Sequence, residues 1–310
     1  MTNLTMVTGF LLMGFSNTWE MQVFYAMLFL LIYLVALMGN LLIFILISLD
    51  EHLQSPMYFF LKNLSFLDLC LISTTLPKSI TNSLRHNHSI SFMGCVLQLF
   101  LVLLFAGSEL LLLTMMSYDR YVAICQPLHY ESIMTKGTCM KMAIVSWISG
   151  SLIGSMYSTS TFTLPFCSSK DIHQFFCDVP SLLRISCSDM HIGVYITLAI
   201  GVVIGILCFI FIAISYGPIF STVLKIPTTE GQTKAFSTCL PHLIVLMIFV
   251  TTAITVYLKP TQKQSDSILD LLLSILYTVV PPILNPLIYS LRNKDIKNSL
   301  RKLIAWKHFS

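Results

Sequence analysis

Seven long, almost uninterrupted apolar stretches, at about 24–49, 57–81, 95–125, 140–163, 194–222, 235–258 and 268–291, dominate this 310-residue chain. Each is long enough to cross roughly 30 Å of hydrocarbon as a helix, which takes about 20 residues. Such a chain cannot wrap a soluble core, because it has too little polar surface to cover one. Hydrophobic residues make up 55% and charged residues only 10%, against about 25% charged in a soluble domain. That excludes a soluble globular protein, a disordered chain and a nucleic-acid binder. Runs such as Phe24 to Leu49 are also too long and too continuous for barrel strands, which alternate polarity over about 10 residues. The fold class is therefore an all-α membrane protein, a bundle of seven transmembrane helices.

An odd number of spans puts the two ends on opposite sides. With the C-terminus inside, twelve of the eighteen Lys and Arg residues are cytoplasmic, as the positive-inside bias demands. Asp50 and Glu51 give the first inner loop a negative start, but acidic residues count little in that rule. Sequons at Asn3 and Asn87 then fall outside as glycosylation acceptors. The first residues lack a basic start, so the first span is expected to act as an uncleaved signal anchor. The organisation expected is an extracellular tail at 1–23, a seven-helix domain at 24–291 and a cytoplasmic tail at 292–310. A long extracellular loop lies at about 164–193. In the tail, Ile296, Leu300, Leu303, Ile304 and Trp306 recur at helical spacing among basic residues. That pattern reads as a short amphipathic eighth helix on the anionic inner leaflet, so membrane lipid is an expected partner.

Of the nine cysteines, Cys95, Cys167, Cys177 and Cys187 fall on the oxidising side. Four cysteines allow three pairings. A bridge from Cys95 to the long loop would pin that loop as a lid.

The third span ends in Met116-Ser117-Tyr118-Asp119-Arg120-Tyr121-Val122-Ala123-Ile124-Cys125. A charged pair at the inner edge of an otherwise apolar helix is costly unless partnered, which suggests a latch. It occurs together with Pro56-Met57-Tyr58-Phe59-Phe60-Leu61, Leu64-Ser65-Phe66-Leu67-Asp68, Lys234-Ala235-Phe236-Ser237-Thr238-Cys239 and Pro282-Ile283-Leu284-Asn285-Pro286-Leu287-Ile288-Tyr289. In this combination, over essentially its whole length, the chain resembles the olfactory (odorant) receptors of the rhodopsin-like G-protein-coupled receptors. Two departures stand out: Pro241-His242-Leu243 where the family usually reads Ser-His-Leu, and Phe249-Val250-Thr251 where it usually reads Phe-Tyr-Gly. The second places Val250 where a tyrosine would sit at the pivot of the sixth helix.

The resemblance implies bridges Cys95–Cys177 and Cys167–Cys187, a plasma-membrane multi-pass location and no enzymatic activity. It implies a volatile odorant and a stimulatory heterotrimeric G protein as partners, with cyclic AMP as output. It assigns coupling and activation to Asp119, Arg120, Tyr121, Tyr216, Asn285, Pro286 and Tyr289. On the third helix, Val102, Leu103, Ala106 and Gly107 follow helical spacing and share an apolar face with room beside its small residues. By resemblance Ile200, Ile204, Ala253, Ile254, Tyr257, Ser274 and Thr278 complete the ligand wall. Val102 stands where aminergic receptors carry an aspartate, and Val279 where opsins carry the retinal lysine. The expected ligand is therefore neutral, small and mostly apolar, oriented by Tyr257, Ser274 and Thr278. About ten atoms at roughly 0.6 kcal/mol each give a Kd of order tens of micromolar.

Asp68 and Glu109 are the only acids deep in the spans, with Asn40 and Asn285 nearby. Buried carboxyls must be neutralised or paired. Either both are protonated and hydrogen-bonded, or, as the resemblance suggests, Asp68, Glu109 and Asn285 hold an allosteric sodium ion; no other cofactor is expected. Two rival readings remain from the residues alone. One is a non-olfactory receptor of the same superfamily for a lipid or small metabolite. The other is a small channel or transporter, for which the spans offer only two acids as a polar path.

Overall fold

The computed structural model describes residues 8–13, 18–85, 88–166, 170–187, 191–258, 267–292 and 294–306. In chain order its elements are strand β1 (Gly9–Leu12), helices α1 (Trp19–Leu49) and α2 (Pro56–Arg85), strand β2 (Ser89–Ser91), helix α3 (Phe92–Cys125), short helix α4 (Tyr130–Ile133) and helix α5 (Lys136–Phe162). Strand β3 (Asp171–Ile172), short helix α6 (Val179–Ile185) and helices α7 (Ile192–Leu224), α8 (Thr229–Leu258), α9 (Ser267–Thr278), α10 (Val280–Arg292) and α11 (Lys294–Trp306) follow. Among the described residues α1, α2, α3, α5 and α7 are each long and apolar enough to cross a membrane. Helix α8 is the sixth span, and α9 with α10 is the seventh. Large apolar side chains such as Leu31, Met38, Leu152 and Ile214 stand exposed on the outside of the bundle, which only a lipid surround tolerates over so wide an area.

Local chemistry sets the helix ends. The Ser91 and Thr135 hydroxyls accept from the Gly94 and Thr138 N–H groups at 3.1 and 3.2 Å, capping α3 and α5. Helix α2 opens on Pro56, whose missing N–H is harmless in the first turn. Helix α1 stops at Asp50, which caps the short turn after it through His52 N–H at 3.0 Å.

The seventh span is not one helix, contrary to the single run at 268–291. The Val279 N–H still reaches the Ile275 carbonyl at 2.9 Å, but Pro281 and Pro282 have no N–H to continue the ladder. Lower down, Pro286 leaves the Pro282 carbonyl without its helical donor. Asn40 of α1 supplies one: its amide donates to Pro282 O at 2.7 Å and to Ala36 O at 3.0 Å. Asn40 thus acts as a splint for the broken span.

Helix α3 runs through the middle and packs on α2, α5, α7 and α8. Its approach to α5 is possible because α5 presents glycines. A Cβ on Gly150 would collide with Ser108 Oγ and lie 2.5 Å from Leu104 O; one on Gly154 would lie 2.7 Å from Phe100 O. Such small-residue contacts replace the hydrophobic driving force that lipid does not provide.

At the outer mouth, Gly9–Leu12 of the expected tail form a strand. Strand β1 lies between β2, antiparallel, and β3, parallel. Phe10 and Leu12 point into the protein while Leu11 is exposed, the period-2 pattern of a half-buried strand. The N-terminal segment therefore ties the first outer loop to the long loop.

Candidate functional site

The long loop is fixed first. Cys95, at the outer start of α3, is bonded to Cys177. Cys187 is disulfide-bonded too; Cys167, its expected partner, lies outside the described residues, as do the sequon residues Asn3 and Asn87. Asp178 caps α6 by accepting from the Ser181 N–H at 3.2 Å.

Beneath this lid the outer half divides around α3. Val102 is 3% exposed and packs in one cluster with Phe175, Phe176, Phe29, Leu71 and Val279. Leu103, the next residue, packs in another cluster with Tyr157, Val194 and Leu198. Ala106 is half-buried. Gly107 belongs to neither wall: its Cβ direction meets Ile153 and Gly150 of α5, so it serves helix packing rather than ligand contact. Ile200 is also off the expected wall. It is 41% exposed, about 100° round α7 from the face marked by Val194 and Gly201. Leu198 is the α7 residue that joins the outer core, and the spacing Val194, Thr197, Leu198, Gly201 was the signal for that face. Ile204 is half-buried. Ser274 and Thr278 are both buried, and the Thr278 hydroxyl donates to Ser274 O at 2.6 Å. The side chains of Ala253, Ile254, Tyr257 and Tyr289 lie outside the described ones.

At mid-depth, Asn285 joins the two buried acids. Its Nδ2 donates to Asp68 Oδ2 at 2.9 Å and to Glu109 Oε1 at 3.2 Å. Asp68 and Glu109 are fully buried. Asp68 Oδ1, Glu109 Oε2 and Asn285 Oδ1 are buried and accept no hydrogen bond. Among the described residues no group of three or more His, Cys, Asp or Glu could hold a metal ion. The donor set here is oxygen only, which suits a hard cation.

The inner half holds the residues expected to act in coupling. Asp119 is 2% exposed, and its Oδ1 accepts from the Tyr130 hydroxyl of α4 at 2.7 Å. The expected latch partner, Arg120, sits beside it at the end of α3, yet the hydrogen bond goes to the inner loop. Burial, with the Asp119 charge behind it, pushes the Tyr130 phenol well above its ordinary range, so it stays a donor. The Tyr121 hydroxyl accepts from Gln126 Nε2 at 3.3 Å. Pro286 is buried against Gly39, where a Cβ would lie 3.1 Å away.

Sequence reasoning gave His242 no role, but the fold makes it a tie between three spans. Its Nε2 lies 2.9 Å from Leu113 O, and its Nδ1 lies 2.8 Å from the Tyr216 hydroxyl. A carbonyl only accepts, so Nε2 carries the proton and Nδ1 receives the Tyr216 O–H. His242 is 1% exposed and Tyr216 3%. A histidine among apolar residues of the sixth span was the available signal. Val250, one of the two departures, is half-buried against the inner core.

This arrangement, a helical bundle with a loop-lidded outer end and a hydrogen-bonded inner end, is the seven-helix fold of rhodopsin-like receptors. Squid rhodopsin superposes with a TM-score of 0.71 over 94% of this chain and 88% of its own at 15% identity, a likeness of fold alone. The olfactory receptor family matches residues 29–307. Human olfactory receptor 14A2 is 60% identical over 98% of this chain and 96% of its own, and human olfactory receptor 14A16 is 58% identical over 99% of both. The chain belongs to the olfactory receptor family. It is a receptor rather than an enzyme, and a multi-pass protein of the plasma membrane.

Proposed function

We propose that this receptor takes small, neutral, mostly apolar odorants into the outer half of the bundle and answers by activating a stimulatory heterotrimeric G protein, raising cyclic AMP. The observation that carries this reading is where buried charge sits. Among the described residues the buried Asp, Glu and His side chains are Asp68 and Glu109 at mid-depth, Asp119 and His242 in the inner half, and Asp178 capping α6. Val102 and Val279 are buried; the first stands where an ammonium ligand would need a carboxylate and the second where a Schiff base would need a lysine. A ligand bound there gains burial and one or two hydrogen bonds, which favours weak, micromolar agonism.

The mechanism is a population shift. The odorant must bind the active state more tightly than the resting state, or nothing follows. We read the Tyr216–His242–Leu113 tie and the Asp119–Tyr130 bond as contacts of the resting state. Release of the sixth span from α3 and α7 would free Arg120 for the G protein. Linkage requires bound G protein to raise odorant affinity by the factor that odorant raises G-protein affinity. The test is a cyclic AMP screen of transfected cells against chemically diverse odorants. Arg120→Ala is expected to abolish responses at unchanged surface expression; responses equal to wild type would refute the switch. Val250→Tyr, run in parallel, reports what the departed pivot does to basal activity.

A sodium ion belongs to the same proposal. Three buried oxygens of Asp68, Glu109 and Asn285 without hydrogen-bond donors support it, since buried anionic oxygens require a cation or a proton. Replacing sodium by choline at constant ionic strength should raise basal cyclic AMP in wild type and not in Glu109→Gln. Equal responses in both would dismiss the ion.

A further inference from the structure

One face of the tail helix α11 is committed to the inner end of the bundle. Ile296 is 2% exposed in the inner core, and Leu300 packs against the same cluster. Asp295 Oδ2 accepts from the Tyr58 hydroxyl of α2 at 2.9 Å. One turn further on, Ser299, 6% exposed, donates to Asp50 Oδ2 at 2.5 Å. Positions 295, 296, 299 and 300 recur at helical spacing and make up that face. Lys297, Arg301 and Lys302 are exposed.

The Ser299 contact depends on the hydroxyl proton. A carboxylate only accepts, and the other oxygen of Asp50 already accepts from the His52 N–H at 3.0 Å. Glu51 follows Asp50 with a second negative charge. A phosphate on Ser299 would offer three acceptor oxygens and a charge of about −1.5 to −2 at pH 7. It would set acceptor against acceptor and anion against anion. The same serine lies in a cationic stretch: Lys297 stands two residues before it, Arg301 two after and Lys302 three after, with no acid between 296 and 302. Such a stretch complements an acidic substrate cleft.

We propose that Ser299 is a phosphorylation site for a basic-directed serine kinase, and that its phosphate releases α11 from the inner end of the bundle. The γ-phosphoryl group of ATP passes to Ser299 Oγ: the bond to ADP breaks, the Oγ–P bond forms, and the hydroxyl proton goes to the base of the kinase. The docked hydroxyl is shut off from an enzyme, so the transfer takes place on the lifted form of α11, which a terminal helix visits at low cost. The rate therefore reads the lifted fraction, and the product cannot return to Asp50. Helix α11 carries four basic side chains and one acidic one, so the phosphate also cancels much of the charge that holds it to the anionic leaflet. This inference depends neither on the ligand pocket nor on the G protein.

The test uses the full-length receptor in nanodiscs of phosphatidylcholine and phosphatidylserine, with ATP and the catalytic fragment of protein kinase C as the probe. Mass spectrometry locates phosphate, and hydrogen exchange at neutral pH reads the protection of α11. Ser299 should take up phosphate in the wild type. Asp50→Ala, which removes the acceptor, should speed that uptake about tenfold, the worth of one hydrogen bond to a charged group. Tyr58→Phe, which removes the other bond, serves if Asp50→Ala impairs expression. The phosphorylated receptor should lose α11 protection about tenfold or more, beyond the loss in Ser299→Ala, which forfeits the hydrogen bond without adding charge. Absence of phosphate from Ser299 in the wild type would overturn the site. Uptake at the same rate in the wild type and the variants would overturn its control by docking. Phosphate on Ser299 with α11 no less protected than in Ser299→Ala would overturn the release, with Lys297, Arg301 and Lys302 holding the phosphate on a docked helix instead.

Discussion

Replacing Gly150 with alanine should loosen the bundle at its central seam. The added Cβ would collide with Ser108 Oγ, lie 2.5 Å from Leu104 O and 3.0 Å from Ser108 N. Ordinary carbon contacts begin at about 3.5 Å, so α3 and α5 would have to part by about 1 Å there. Overpacking of this kind costs about 1–3 kcal/mol. The Ser108 hydroxyl also donates to Ser146 O at 3.2 Å, and losing that bond adds about 1 kcal/mol. The sum, about 2–4 kcal/mol, is a large part of a typical stability of about 5–15 kcal/mol. Thermal melting of the detergent-solubilised receptor and the fraction reaching the cell surface would both report it. Gly205→Ala and Gly217→Ala are the controls, because a Cβ at either site meets nothing within 4 Å. Ser108→Ala combined with Gly150→Ala should recover part of the loss, since it removes one of the two collisions and leaves Leu104 O. A Gly150→Ala receptor that melts with the two controls would refute the packing argument.

Asn40→Ala should cost about 1–3 kcal/mol by leaving the Pro282 carbonyl buried without a donor; the melting curve reads it, and an unchanged midpoint would mean the carbonyl finds another partner. Tyr216→Phe removes the hydroxyl donor to His242 and should raise odorant-free cyclic AMP about fivefold, the effect of roughly 1 kcal/mol on a two-state balance; a fall in basal signal would show that the bond supports the active state instead. In the tail, Ser299 donates to Asp50 Oδ2 at 2.5 Å, and this bond, ahead of the His52 N–H and the Lys302 charge, holds the Asp50 carboxyl below its ordinary value. A depressed carboxyl pKa stabilises docking above the ordinary carboxylate range and loses that contribution as pH falls through the lowered value. The protection of α11 amides, their exchange relative to the intrinsic rate at each pH, should therefore be flat around neutrality, weaker in acid, and already weaker at neutral pH in Asp50→Asn.

The seven crossings were legible in the chain because apolar length is a property of consecutive residues. The candidate switch residues Asp119, Arg120, Asn285 and Pro286 were legible for the same reason: they stand in contiguous motifs. Other features depended on how helices rotate about their axes and on partners far apart in sequence. Gly107 follows the spacing of Val102 and Leu103 yet turns to α5, and Ile200 lies off the face that Leu198 occupies. Asn40 answers a carbonyl 242 residues away, and His242 a carbonyl 129 residues away. The N-terminal strand and the burial of Phe175 and Phe176 are tertiary in the same sense. Hydrophobicity decides that a segment enters the membrane, but lipid is as apolar as leucine and is indifferent to which face meets a neighbour. Close packing at small residues and the need to pair every buried polar group make that choice, and both exist only once the helices have come together.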